Sequence, residues 1–236
     1  AETRPIYPMF DIGSTFIDET NGFWIIGTDA EGRLVHTQAF RLLPLGRTTL
    51  REHLAVHNQK YVTPGIVDDP DSPRFEAHRG LDEISGRVCY QGEFWLEGGK
   101  EGFRGGGAVA LLSRLGLELA AQTWEPDYVF AFICAHHALN GTPLRHCYYN
   151  TAPGSWSTAE GVRFSEEWLV WMSRNDLVGL GREVFDSSFS ILEATPRGPV
   201  RPRLSFTNTH PDSIAHSTAL HGSPELVQAD AKRSIA

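Results

Sequence analysis

The stretch 101–134 most constrains what this chain can fold into. It opens on glycines, "EGFRGGGAVALLSRLGLELAA", passes Trp124 and Pro126, and closes on "YVFAFIC". An uncharged run of branched and aromatic residues such as 128–134 suits a strand covered on both faces. Between the glycines and Pro126, apolar residues recur at helical spacing. That spacing predicts a helix over 106–123 with a buried stripe of Val109, Leu112, Leu115 and Leu119. "RVCYQGEFWLEGG", 87–99, is aromatic and branched, is bounded by glycines, and reads as a strand. Strand 87–97, helix 106–123 and strand 128–134 form a unit long enough for a parallel crossover.

The flanks extend that unit. "FWIIGT", 23–28, reads as a buried strand; "DAEGR" supplies turn chemistry; "LVHTQAFRLL", 34–43, alternates as the second arm of a hairpin. Residues 46–86 read as an insertion, with a short helix near "TTLREHLAVHNQ" and a proline-rich, acidic loop. Residues 138–160 are loop-rich, with a further strand at "RHCYYN". "FSEEWLVWMSR", 164–174, is short enough to be strand or helix, and "NDLVGLGREVFDSSF" after it reads as helical. The expected organisation is one α/β domain over 1–195, a mixed twisted central sheet with flanking helices, and an irregular tail over 196–236.

Composition removes several classes of function. Apolar residues make up 41% of the 236, enough for a sizeable core. The formal charge of −8 argues against nucleic acid, which needs a basic surface for phosphate. It leaves room for a local basic pocket around one anionic ligand. Cys89, Cys134 and Cys147 are too few and odd in number for a disulfide framework; reduced thiols and a cytoplasmic location are the expectation. No apolar run approaches the roughly 20 residues of a membrane span, and a membrane partner is not expected.

A glycine run between strand and helix turns the backbone sharply and exposes N–H groups at a helix N-terminus. Those donors and the positive end of the dipole favour an anion, and Arg104 adds a fork of donors. A plain glycine hinge that permits close packing is the competing reading. A Walker loop is excluded, because the glycines run into Ala108 and Val109 rather than Lys-Ser/Thr. The spacing of Gly105, Gly106 and Gly107 does not complete the Gly-x-Gly-x-x-Gly of a dinucleotide fold.

The stretch "FRGGGAVALLSRLGLELA" resembles the acyl-CoA loop of the GNAT acyltransferase superfamily, Gln/Arg-x-x-Gly-x-Gly/Ala between the fourth strand and third helix. Arg104 matches the first position and Gly107 the middle glycine; Val109 stands where Gly or Ala is usual. The order of elements over about 22–150 matches too, although residues 1–21 leave little room for the family's first strand and helices. The resemblance implies a GNAT-like fold in which the parallel strands 87–97 and 128–134 splay apart. It implies acetyl-CoA or another acyl-CoA as co-substrate, a thioester and pantetheine lying in the gap, and an amine acceptor. The main chain of Trp95 and Leu96 would bond the pantetheine arm. Arg104 and the amides of Gly105, Gly106, Gly107, Ala108 and Val109 would take the pyrophosphate. A homodimer is compatible with it, and an acyl-carrier protein is an alternative donor.

Transfer to an amine needs positioning, a base for the amine and an acid for the thiolate. Glu93 and Glu97 alternate on one face of the strand with Gln91 in phase, and Glu93, beside Phe94 and Trp95, is the candidate base. The family's tyrosine pattern after the fifth strand is not reproduced; Tyr148 and Tyr149 are the nearby candidates for the acid, or else strand aromatics. Cys134, His136, His137, His146 and Cys147 are metal-capable, but their spacing fits no zinc motif and no metal is expected. "GSWSTAEG" misses the serine-hydrolase elbow. A non-catalytic acyl-CoA or small-ligand binding module on the same scaffold is the second functional reading.

Overall fold

The computed structural model describes residues 5–62, 73–98 and 107–181, together with the backbone of 203–205. Its elements follow in chain order: β1 (Gly22–Thr28), β2 (Leu34–Gly46), α1 (Leu50–His57), β3 (Arg74–Ala77), β4 (Gly86–Leu96), α2 (Ala108–Trp124), β5 (Tyr128–Cys134), α3 (Ala135–Leu139), α4 (Thr142–Arg145), β6 (Asn150–Ser157), β7 (Arg163–Ser173), a helix α5 over 174–181, and β8 (Arg203–Ser205). The strands form one sheet in the order β3-β6-β7-β5-β4-β2-β1-β8, with β4 and β5 parallel and the other pairs antiparallel. The fold is thus mixed α/β, a central sheet flanked by helices. "FSEEWLVWMSR" resolves to strand β7. "RHCYYN" is not a strand: Arg145 ends the short helix α4, a turn and irregular chain follow over 146–149, and strand β6 begins only at Asn150.

Alternation along the strands creates two apolar layers. One face carries Val88, Tyr90, Phe130, Leu169 and Trp171, and is covered by Met9, Phe10, α1 and Tyr61. Helix α1 starts where Thr49 and Glu52 cap each other's backbone N–H reciprocally; it seats Leu50 and Leu54 in that layer. Residues within 46–86 therefore contribute a core helix and the edge strand β3. The segment before β1 is clamped by Arg41, whose guanidinium donates to Met9 O at 2.6 Å and Phe16 O at 2.9 Å.

The other face carries Ile25, Phe40, Cys89, Val129, Val170 and Met172 under α2 and α5. Helix α2 lies close to its predicted span, but its buried face is Ser113, Gly116, Leu117, Ala120 and Trp124. The expected stripe of Val109, Leu112, Leu115 and Leu119 is only half-buried. The small residues explain the rotation. A Cβ on Gly116 would lie 2.5 Å from the Phe40 ring and 2.6 Å from Gln38 Oε1. The helix approaches the sheet on its smallest side, and the leucines flank the contact. In the segment expected to be irregular, Arg203–Ser205 pairs with Thr28–Ile26 as β8.

Candidate active site

Strands β4 and β5 are in register only at Val88–Tyr128, Cys89–Val129 and Tyr90–Phe130. Beyond Tyr90, β4 runs on to Leu96 alongside β2, while β5 runs on to Cys134 alongside β7. The two parallel strands part, and the ladder between them stops. Helix α2, which joins them, begins beside this opening with Gly107 in the left-handed region at φ 81°. A side chain there would be strained, and a Cβ built on Gly107 meets nothing within 4 Å. Ala108 and Val109 open the first turn, whose N–H groups have no intrahelical partner. Arg104, Gly105 and Gly106 lie outside the described residues.

The opening is shaped by a β-bulge. Thr37 pairs with Trp95 but Ala39 with Gly92, so Glu93 and Phe94 together face Gln38. Glu93 takes φ 54°, a left-handed conformation that costs a non-glycine residue about 1–3 kcal/mol. The Thr37 hydroxyl fixes the bulge by donating to Glu93 O at 2.9 Å. The extra residue reverses the expected phase. Gln91 faces the α2 side, and Phe94, not Glu93, follows it there, packed on His146 at 4.3 Å between ring centres. The Glu93 carboxylate turns to the opposite face, where Oε1 accepts the Tyr7 N–H at 2.9 Å. Glu97 does not share a face with Gln91 as an alternating partner of Glu93 would; it ends the strand region half-exposed, its N–H bonded to Val35 O.

On the α2 side a buried polar chain crosses the parting strands. The Tyr148 hydroxyl donates to Gln91 Oε1 at 2.6 Å, Gln91 Nε2 to Gln38 Oε1 at 3.1 Å, and Gln38 Nε2 to Leu112 O at 2.7 Å. Burial holds the Tyr148 phenol well above its usual range. Tyr149, next in sequence, is 47% exposed. His36 bonds Trp95 O through Nδ1 at 2.7 Å, and its buried Nε2 has no hydrogen-bond partner among the described residues. Burial also pushes His146 down to about 4, and its Nδ1 shares a hydrogen bond with the Ser113 hydroxyl at 2.9 Å. His136 and His137 are exposed on α3, and Cys147 Sγ contacts Ala110 O. Among the described residues no three His, Cys, Asp or Glu side chains converge on a metal position.

One functional-looking residue is absent from the sequence reading. Glu167 of β7 pairs in register with Cys134, and its carboxylate accepts the Trp156 indole N–H at 2.9 Å. Burial raises its pKa above the ordinary carboxylate value. Its alternation with Leu169 and Trp171 in "EEWLVWM" was the available signal. A surface depression of about 380 Å³, lined by Ser85, Asp127, Ser173 and Arg174 among others, lies at the opposite ends of β4 and β5. Asp127 is committed there to the Arg87 N–H and to Arg174, so that depression is set apart from the parting strands. No described helix is long and apolar enough to cross a membrane.

No family model matches the chain, and no curated protein does. Among solved structures it is similar to FeeM, an N-acyl amino acid synthase from uncultured soil microbes, at a TM-score of 0.38 and 13% identity, over 68% of this chain and 76% of that one.

Proposed function

We propose that this chain is an acyltransferase that moves an acetyl or other acyl group from acyl-CoA to an amine. The observation that carries this is the parting of β4 from β5 after Tyr90 and Phe130, with the N-terminus of α2 beside the gap. An edge of parallel strand offers amide and carbonyl groups at the spacing of an extended, amide-containing arm, as in strand addition. The helix terminus favours the anionic end of the same molecule. Trp95 and Leu96 supply the strand edge in this reading, and Gly107, Ala108 and Val109, with Arg104, Gly105 and Gly106 before them, supply the anion site.

Chemically, the acceptor ammonium must lose one proton, the free amine attacks the thioester carbon, the C–S bond breaks, and the amide and a thiol result. Glu93 is the proposed base. A carboxylate-bearing residue held at φ 54° in a bulge is the kind of strained position that function maintains. Tyr148 is committed to Gln91, which supports a structural role for it and a binding module as the second reading. Thermal melting with and without acetyl-CoA and longer acyl-CoAs, followed by thiol release with a panel of amines, separates the two. Stabilisation with amine-dependent thiol release is expected. Stabilisation without turnover supports the binding module, and neither effect removes the acyl-CoA reading.

A further inference from the structure

The segment before β1 lies across the sheet face that carries Glu93, and side chains of the sheet hold it by its backbone. The Tyr7 N–H donates to Glu93 Oε1 at 2.9 Å. Arg41 donates to Met9 O at 2.6 Å and to Phe16 O at 2.9 Å. Met9 and Phe10 are buried, but Ile12 and Phe16 are exposed, Phe16 to 77%. The turn that follows is fixed separately. Thr20 O accepts the Trp124 indole N–H, and Asn21 O accepts the Leu42 N–H, each at 2.9 Å. Residues 7–16 thus form a strap, and 18–21 form its anchor.

Two features make the closed strap easy to lift. Arg41 is a buried guanidinium with no carboxylate partner among the described residues, and its Nε has no hydrogen-bond partner there. Two neutral carbonyls offset only part of the cost of desolvating a cation. Lifting the strap hydrates Arg41 again as these bonds are given up. The second feature is Phe10, which acts as a plug. Its ring stacks on Tyr90 at 5.2 Å and meets Trp24 edge-on at 6.1 Å. It lies over Gly92, where a Cβ would stand 2.3 Å from Phe10 Cε2. Gly92 immediately precedes Glu93, so lifting Phe10 uncovers the notch beside the proposed base.

We propose that residues 7–16 are a gate on the acceptor side of the site. Closed, the strap holds Glu93 Oε1 on the Tyr7 N–H and seats Phe10 over Gly92. Open, it yields that bond and that notch to the acceptor. The ammonium of the acceptor competes for the same oxygen with a charge-assisted bond, which is stronger than that of a neutral amide. Acceptor binding therefore favours the open state, and its apparent affinity is scaled by the open fraction. This rests on the acyl-transfer reading and on Glu93 as its base for the chemistry, but not for the motion.

Hydrogen–deuterium exchange on the full chain reads the opening directly. Within the strap, the Phe10 N–H is bonded to Tyr7 O and the Thr15 N–H to Asp11 O. These amides should exchange at least about a hundredfold faster than the β2–β4 ladder, as a unit that opens without global unfolding. Exchange at the ladder's rate means that the strap opens only when the whole fold does, and overturns the gate. Two variants outside the proposed site loosen the strap. Phe10→Leu shrinks the plug, and Thr15→Val removes the hydroxyl that donates to Pro8 O at 2.9 Å. Each should speed strap exchange, and kcat/KM for an amine should rise by the same factor, because both scale with the open fraction. The melting shift induced by acyl-CoA should be kept. Faster exchange with no gain in kcat/KM shows a segment that only braces the sheet, and overturns the gate while acyl transfer stands. Absence of thiol release with every amine overturns acyl transfer, and the exchange of strap against ladder then still decides the motion.

Discussion

The Tyr148 hydroxyl donates to Gln91 Oε1 at 2.6 Å, and Gln91 is the first residue of β4 beyond its pairing with β5. A buried side-chain chain thus stands where a strand ladder ends. It ties the segment after α4 to β4, and through Gln38 to the backbone of α2. Tyr148→Phe keeps the ring but leaves Gln91 Oε1 buried without its donor. Urea unfolding should show a loss of about 1–3 kcal/mol, the cost of an unsatisfied buried polar group. Thiol release per folded molecule should stay near the parent rate; a collapse of kcat with stability intact would restore Tyr148 as the acid.

Gly116→Ala tests the close approach of α2 to the sheet. The new methyl would meet Phe40 and Gln38 Oε1 at 2.5 and 2.6 Å. Overpacking of this kind costs about 1–3 kcal/mol, which outweighs the ~1 kcal/mol that alanine gains over glycine in a helix. A more stable variant in thermal or urea unfolding would show that the contact relaxes freely.

What was legible in the sequence was the strand–helix–strand unit, because three long periodic segments with clear boundaries specify it. The face of α2 was not. Leucines draw the eye to a stripe, yet Ser113, Gly116 and Ala120 form the contact, and small residues carry no hydropathy signal that separates contact from exposure. The orientation of Glu93 failed for a different reason. Period-2 reasoning assumes an unbroken strand, and one extra residue between Gly92 and Trp95 moves the carboxylate to the other face. Glu167 carries no clear signal because the pair Glu166-Glu167 at the start of an apolar run reads as a solvent-facing strand end. Only the register against Cys134 and the fold of β6 beneath it bring its carboxylate to Trp156.

Acid should weaken the fold through its buried histidines. Burial, with nearby positive groups, lowers His53 and His146 from the ordinary 6.5 to about 4 in the folded chain. Unfolded, each takes up a proton as pH drops through 6.5; folded, each resists until about 4. Stability is therefore complete above 6.5 and falls as pH decreases between these values. Asp127, held below its ordinary 3.8 by the Arg87 N–H against a smaller burial cost, adds to the loss only at lower pH. Urea midpoints at pH 7 and 5 should differ in this direction, and His146→Gln should flatten the slope. A flat profile in the parent protein would show that these rings are protonated as readily folded as unfolded.

Glu93→Gln is the sharpest test of the proposed chemistry. The amide has the same length and tolerates the bulge no worse, and its oxygen can still accept the Tyr7 N–H that Glu93 Oε1 holds at 2.9 Å. What it loses is the capacity to take a proton from the acceptor. A positioned base is worth about 10²–10⁴ in rate, so amine-dependent thiol release should fall by that factor. The melting shift induced by acyl-CoA should not change, since this carboxylate lies on the sheet face opposite α2, away from the helix N-terminus proposed to hold the anionic end. The split between an intact donor shift and a lost rate is what marks a base rather than a brace. A brace would lower the melting temperature of the free protein while its folded fraction kept the parent rate. In that outcome the base assignment passes to Glu167, which pairs in register with Cys134 at the end of β5, and the same pair of measurements on Glu167→Gln decides it.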